Sequence, residues 1–255
     1  MPRPSKALPL SLALATLIVL AAFLASCGSS DRSQARFVNA IGDDTQSLDI
    51  DFNGMKVFGG VNPFPSASGS TYSSIPAGSD TIAGFASGTI TNSLFSKTSP
   101  VSFNSGSQYT VVATGFLSGS SVVLLAPTDT NTAPAVGNVN FRVIDASLSG
   151  PASVDVYILP NPVIGSIGCP TNCPTITALG ATSTSDYKTL SYNPNGGFQM
   201  YVTVSGSTTP LYSGGFSIGN VGGVSVGTIR TLVLVDVAPG GAGMAENPIV
   251  LSDLN

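Results

Sequence analysis

Arg36-Phe37-Val38-Asn39-Ala40, six further residues and Ser47-Leu48-Asp49-Ile50-Asp51-Phe52 lie without a gap on Arg142-Val143-Ile144-Asp145-Ala146, six residues and Ser153-Val154-Asp155-Val156-Tyr157-Ile158. The offset is 106 throughout, with Arg36/Arg142, Ala40/Ala146, Ser47/Ser153 and Asp49/Asp155 identical. Two copies of one domain are the economical reading. The later parts correspond with different loop lengths between them. Gln108 to Ala113 resembles Ile229 to Leu234, and the apolar run Val122 to Ala126 resembles Ile249 to Ser252. The first copy is then residues 35–126, the second 139–255, and the Thr-, Pro- and Asn-rich stretch 127–138, which has no apolar period, is the linker.

Within each copy the hydrophobic period is two. Leu48, Ile50 and Phe52 alternate with polar residues, as do Val154, Val156 and Ile158, and later Phe198, Met200, Val202 and Val204. That is the signature of half-buried strands. Tyr109 to Ala113 and Leu232 to Val235 lack the alternation and suit strands buried on both faces. Turn signals punctuate these runs: Asn53-Gly54, Asn104-Ser105-Gly106, and Asn193-Pro194-Asn195-Gly196-Gly197. The expected fold is all-β, two tandem β-sandwiches of about seven strands each.

Upstream of the first copy, Arg3 and Lys6 precede an apolar run, Ala7 to Ala25, that ends in Leu24-Ala25-Ser26-Cys27. A positive start, an apolar core and small residues before the break make residues 1–26 a signal peptide. Leu-Ala-Ser-Cys resembles the lipobox of bacterial lipoproteins, which implies that Cys27 carries the lipid, palmitate included, and that residues 27–34 form a polar, lipidated tether. An uncleaved membrane span is the competing reading, because about 20 apolar residues cross a bilayer. Either way the rest of the chain is extracytoplasmic, in a bacterial cell envelope. Gly28 after the Cys resembles the outer-membrane pattern of diderm bacteria.

Composition narrows the partners. The chain has 9 Lys and Arg against 13 Asp and Glu. Such a surface repels a phosphate backbone, so nucleic acid is not expected. With no His, triads and His-ligated metal sites are ruled out. Glu246 is the sole Glu, and Gly-rich Gly219 to Gly227 lacks the Lys of a phosphate loop. No catalytic residue and no cofactor is expected.

Other residues remain as candidates. Asp43, Asp44, Asp49 and Asp51 are hard oxygen donors for a calcium site, although Asp49, Asp51 and Asp155 also fall on the polar side of strands, where solubility and edge protection explain them. Cys169 and Cys173 read as a disulfide outside the cytoplasm. Arg36 and Arg142 read as a repeated anion contact, or as arginines whose stems cover apolar surface while their heads meet a carboxylate. Tyr157, Tyr187 and Tyr201 on one exposed face would stack on sugars, though strand propensity explains them equally.

The motifs also resemble a known family. Arg142-Val-Ile-Asp-Ala-Ser leading to Val154-Asp-Val-Tyr, the turn Ile75-Pro-Ala-Gly and the closing strand Arg230-Thr-Leu-Val-Leu-Val-Asp resemble the DUF4397 domain, over nearly all of residues 35–255. The resemblance implies an exported Ig-like or transthyretin-like sandwich and brings no active site with it. The function expected is that of a non-catalytic, membrane-anchored envelope lipoprotein with a structural or protein-interaction role. The alternative is a polysaccharide-binding or calcium-dependent adhesive module.

Overall fold

A computed structural model describes residues 31–64, 66–67, 71–161, 166–192, 197–216, 227–236 and 248–253. Among these there is no helix, so none is long and apolar enough to cross a membrane. Cys27 and the signal segment lie outside the described residues, as do Glu246 and most of the Gly219 to Gly227 stretch.

The first half contains β1 (Arg32–Ile41), β2 (Leu48–Phe52), β3 (Met55–Val61), β4 (Ser66–Ala67), β5 (Ser73–Pro76), β6 (Gly78–Ala86), β7 (Ser93–Phe103), β8 (Gln108–Gly115), β9 (Val123–Leu125) and β10 (Thr128–Asp129). The second contains β11 (Asn138–Ala146), β12 (Ser153–Pro160), β13 (Ile176–Gly180), β14 (Ser183–Thr184), β15 (Lys188–Ser191), β16 (Phe198–Val204), β17 (Pro210–Phe216), β18 (Ile229–Val235) and β19 (Ile249–Ser252). The fold is all-β, as the alternation predicts, but among the described residues each half has more strands than the seven expected, ten in the first and nine in the second.

The halves repeat each other's pairing. β3-β2-β6-β7 forms one sheet of the first half, and β13-β12-β16-β17 forms its counterpart. The other sheets run β10-β8-β1-β4 and β14-β11-β18-β19, each built on a parallel pair. In those pairs Arg36 stands beside Thr110 and Arg142 beside Thr231. The registers Val112 to Leu125 and Val233 to Ile249 make Leu125, rather than Val122, the equivalent of Ile249. Asp129 is therefore the equivalent of Asp253.

Two domain edges shift accordingly. β1 opens at Arg32, paired with Pro76, so three residues assigned to the tether belong to a sheet. Thr128 and Asp129, assigned to the linker, pair with Tyr109 and Gln108 as β10.

Among the described residues three apolar clusters stack the sheets. One lies inside the first half, with Phe37, Leu48, Ile50, Phe52 and Val111, and one inside the second, with Phe141, Val143, Val154, Val156 and Leu232. The third joins the halves: Val38, Ala40 and Val112 meet Ile144, Ala146, Val233 and Val235. Alternate side chains of β1, β8, β11 and β18 thus enter different cores. This is why Tyr109 to Ala113 and Leu232 to Val235 show no polar alternation: both of their faces are covered.

Candidate functional site

A buried polar constellation sits between the halves, beside the shared apolar cluster. Arg36 and Arg142 are among the largest fully buried side chains. Each reaches the carboxylate of the opposite half: the Arg36 Nη2 donates to Asp253, and the Arg142 Nη2 donates to Asp129. Arg36 Nη1 also donates to the Ser252 carbonyl at 2.5 Å, and Arg142 Nη1 to the Thr128 carbonyl at 2.8 Å. Beside each arginine, Nε donates to a threonine on the neighbouring parallel strand, Thr110 at 2.8 Å and Thr231 at 3.1 Å. Those hydroxyls in turn donate to Asp129 and Asp253, each at 2.7 Å.

A tyrosine closes each side. The Arg36 guanidinium lies 5.1 Å from the Tyr72 ring centre, and Arg142 lies 4.8 Å from that of Tyr187, within cation–π reach. Tyr72 Oη donates to Asp129 at 2.7 Å and Tyr187 Oη to Asp253 at 2.6 Å. The circuit Arg36, Tyr72, Asp129, Arg142, Tyr187, Asp253 returns to Arg36 and holds two positive and two negative groups. Burial raises the pKa of both tyrosines, and their aspartate partners add to the rise, so both hydroxyls stay protonated donors. For Arg142, burial works against the charge but Asp129, Tyr187 and Asp253 outweigh it and hold the pKa up.

This reciprocity needs a pseudo-two-fold relation between the halves, the arrangement of an isologous dimer interface. The arginine heads do meet carboxylates, as one reading anticipates, but the carboxylates come from the other half. Tyr72, Thr110, Thr231, Asp129 and Asp253 were not among the sequence candidates. Their signal is the paired register: one Asp follows the last apolar run of each half, after different loop lengths.

A second constellation recurs inside each half. Asp49 Oδ1 accepts the Gly60 amide at 2.9 Å and the Ser87 hydroxyl at 3.0 Å, and Oδ2 accepts the Gly88 amide at 3.1 Å. Asp155 likewise accepts the Ala178 and Gly206 amides, both at 2.8 Å, and the Ser205 hydroxyl at 3.0 Å. These carboxylates clamp two loops onto the second strand of each half. The Gly60 amide, followed by Gly88, Ser87 and the Lys56 ammonium, holds the Asp49 pKa at about 2 against the effect of burial. Asp49, Asp51 and Asp155 are buried, which corrects the solvent-facing assignment: loops cover the polar face of β2 and β12.

The proposed calcium donors do not converge. Asp43 accepts the Leu117 and Ser118 amides at 2.6 and 2.8 Å, while Asp44 accepts Asn39 Nδ2 at 2.6 Å and the Gln46 amide at 3.2 Å. Asp49 belongs to its clamp, and Asp51 is a buried neighbour whose pKa is raised by desolvation and by Asp49. Among the described residues no group of three or more acidic or thiol side chains is placed to hold an ion. Asp43, Asp44 and Asp49 each accept their own amides and are not gathered with Asp51 around one point.

Tyr157, Tyr187 and Tyr201 share no exposed face. Tyr157 is buried and pairs across strands with Tyr201, while Tyr187 belongs to the ring between the halves. Strand propensity and internal packing account for them. Cys169 and Cys173 form a disulfide, with Cα atoms 4.5 Å apart, in the loop before β13.

One surface groove of about 330 Å³ runs between β13 and the segment Ser183 to Lys188. Thr177, Thr184, Asp186 and Lys188 line it, while Tyr187 points the other way into the ring.

Residues 33–157 match the family described as Domain of unknown function (DUF4397), and a DUF4397 domain is found there. The match runs from β1 into β12 and so takes in Arg36, Asp129 and Arg142. No curated protein matches the chain.

Proposed function

We propose that this is a non-catalytic lipoprotein of a bacterial envelope, anchored through Cys27, whose tandem DUF4397 sandwiches act as a structural or protein-interaction module. The observation that supports this reading is where the charged side chains are used. Arg36, Arg142, Asp129 and Asp253 lock the halves together, and Asp43, Asp49, Asp155 and Asp236 bind loop amides. Buried charge spent in this way fixes shape and register. Four residues, Gly28 to Asp31, separate Cys27 from β1. They extend about 14 Å at most, which keeps the module at the membrane surface.

The test is crosslinking of the lipidated protein in cells, followed by affinity purification and analysis of proteins and glycans. One stoichiometric protein partner is expected. Enriched polysaccharide without any protein overturns this reading in favour of the second, a polysaccharide-binding module. The groove lined by Thr177, Thr184, Asp186 and Lys188 favours that second reading, in place of the tyrosines. Anchoring is tested separately: Cys27→Ala is expected to abolish the lipid mass shift, and retention of lipid by that variant sinks the lipoprotein assignment.

A further inference from the structure

We infer that the face between the halves is also a docking face for a second copy of this chain: the first half of one molecule seats the second half of another through the same ring of charges. The inference goes beyond the interaction role proposed above, since it concerns a second copy of this chain and not another envelope component, and its geometry does not depend on the lipid.

The charged and aromatic contacts that hold the halves are made twice, with the roles exchanged; the Thr114 hydroxyl on the Ala146 carbonyl is made once, because Val235 stands at the equivalent position. Arg36 meets Asp253 just as Arg142 meets Asp129, and each tyrosine bonds the Asp of its own half. The apolar floor is equally reciprocal, with Val38 and Val112 against Ile144 and Val233. No bond in the set depends on which chain supplies which half. Two molecules that exchange halves therefore keep all of these contacts and all of both inner cores.

The covalent constraint is residues 130–137. Asn131, Thr132, Ala133, Ala135, Val136 and Gly137 are exposed, Val136 at 97%. The bonds that tie this segment to strands or side chains elsewhere lie near its ends: the Thr130 amide donates to Tyr187 Oη at 3.4 Å, and the Gly137 carbonyl accepts the Tyr192 amide at 2.8 Å. A linker this short gives a millimolar-range effective concentration, so the closed single chain dominates in dilute solution. Crowding many chains onto a surface shifts the balance toward exchange, the ordinary route to a swapped dimer.

The test uses two full chains with different C-terminal tags, co-expressed and solubilised in detergent. One carries Arg36→Asp with Asp129→Arg; the other carries Arg142→Asp with Asp253→Arg. Within either chain, like charges now oppose each other across the face. Across the two chains every opposition is again Arg to Asp. A mixed complex of doubled mass carrying both tags in equal amounts is expected, with its yield at least tenfold above that of either variant paired with a wild-type chain. Folded variants that stay separate overturn the inference. If neither variant folds, differently tagged wild-type chains are refolded together at about 1 mM, near the linker's effective concentration, and recovery of single-tag monomers alone overturns it. Loss of the envelope partner in the crosslinking experiment leaves this outcome unchanged, so the two readings fail separately.

Discussion

The two halves solve the same packing problem with different residues at equivalent positions, and the differences show which features the fold requires. In the first half, Asn39 accepts the Ile41 amide at 3.1 Å and donates its own amide to Asp44 and to the Asn62 carbonyl. In the second, Asp145 accepts the Ser147 amide and hydroxyl through Oδ1, and its other oxygen is buried with no hydrogen-bond partner among the described residues. Burial pushes the Asp145 pKa up to about 6, with Asp236 adding to it against the two Ser147 bonds. The loops beyond are also tied by mirrored means: Asp43 binds the Leu117 and Ser118 amides, whereas Asp236 binds the Leu148 and Ser149 amides. What both halves keep is the Arg, Thr, Tyr and Asp of the ring and the Asp of the loop clamp. What they vary is how a local backbone demand is met.

The ring sets the largest expected effect. Removing one partner of a buried charge pair leaves the other uncompensated, so Arg36→Ala and Arg142→Ala should each cost about 3–5 kcal/mol. The halves being reciprocal, the two losses should be similar. Denaturant unfolding of both variants checks this. A large inequality would show that the ring is reciprocal in geometry but not in energy. Replacing both members of one pair, Arg36→Met with Asp253→Leu, should cost less than either single change, because no charge is then stranded.

Asp145 gives the next effect, and it carries a sign in pH. Its folded pKa of about 6 lies above the ordinary 3.8, so the folded state holds a proton that the unfolded chain has lost. Stability from this group therefore rises as pH falls from above 6 toward 4, by an amount on the order of 3 kcal/mol at about 1.4 kcal/mol per pKa unit. Asp145→Asn copies the first half's solution and should stabilise the chain by about 2 kcal/mol at pH 7.5. The gain should vanish at pH 4. Thermal melts at the two pH values decide it, and an equal gain at both would assign the effect to packing rather than ionisation.

The loop clamps follow. Asp49→Ala or Asp155→Ala strands two loop amides that bonded a charged acceptor, a loss of about 2 kcal/mol each. Here the pH dependence runs the opposite way. Asp49, held at about 2, contributes stability that is present above 3.8 and lost as pH falls toward 2. The combined contribution of Asp49 and Asp145 is therefore greatest between about pH 4 and 5. A stability profile that rises steadily from pH 4 to 8 would contradict the Asp145 assignment, and one that Asp49→Ala leaves unchanged between pH 4 and 2 would contradict that of Asp49.

Sequence pattern reveals part of this and hides the rest for identifiable reasons. The 106-residue offset aligns Arg36 with Arg142 and Asp49 with Asp155, because β1–β2 and β11–β12 have the same connection length. Past that point the offset drifts, to 118 at Ser87/Ser205, 121 at Thr110/Thr231 and 124 at Asp129/Asp253, so no fixed period exposes the partners. Asp129 is hidden further by its setting in a polar, Pro-containing stretch that reads as linker. The alternating pattern in β2 identifies a strand correctly but assigns Asp49 to water, since periodicity reports which side faces the core and not whether loops cover the other side. A tyrosine such as Tyr187 reads as a surface residue until the arginine beneath it is placed.

The smallest effect is the most direct comparison of the halves. Each clamp requires one residue of β3 or β13 in the left-handed region, so that its amide turns toward the aspartate. In the first half that residue is Gly60, at φ +65°, where an added Cβ would meet no atom within 4 Å; in the second it is Ala178, at φ +48°. The left-handed conformation costs a non-glycine residue about 1 kcal/mol or more. The register breaks at this point in both strands, with two residues opposite one on the partner, so the conformation is imposed by the bulge and not by the residue. Ala178→Gly should then stabilise the second half by about 0.5–1 kcal/mol, after the glycine's greater freedom in the unfolded chain is subtracted. Gly60→Ala should destabilise the first half by a similar amount. Measured side by side in one denaturant series, opposite signs locate the demand in the Asp-clamped bulge that both halves share. Equal signs would mean that the two bulges are alike in register but not in strain.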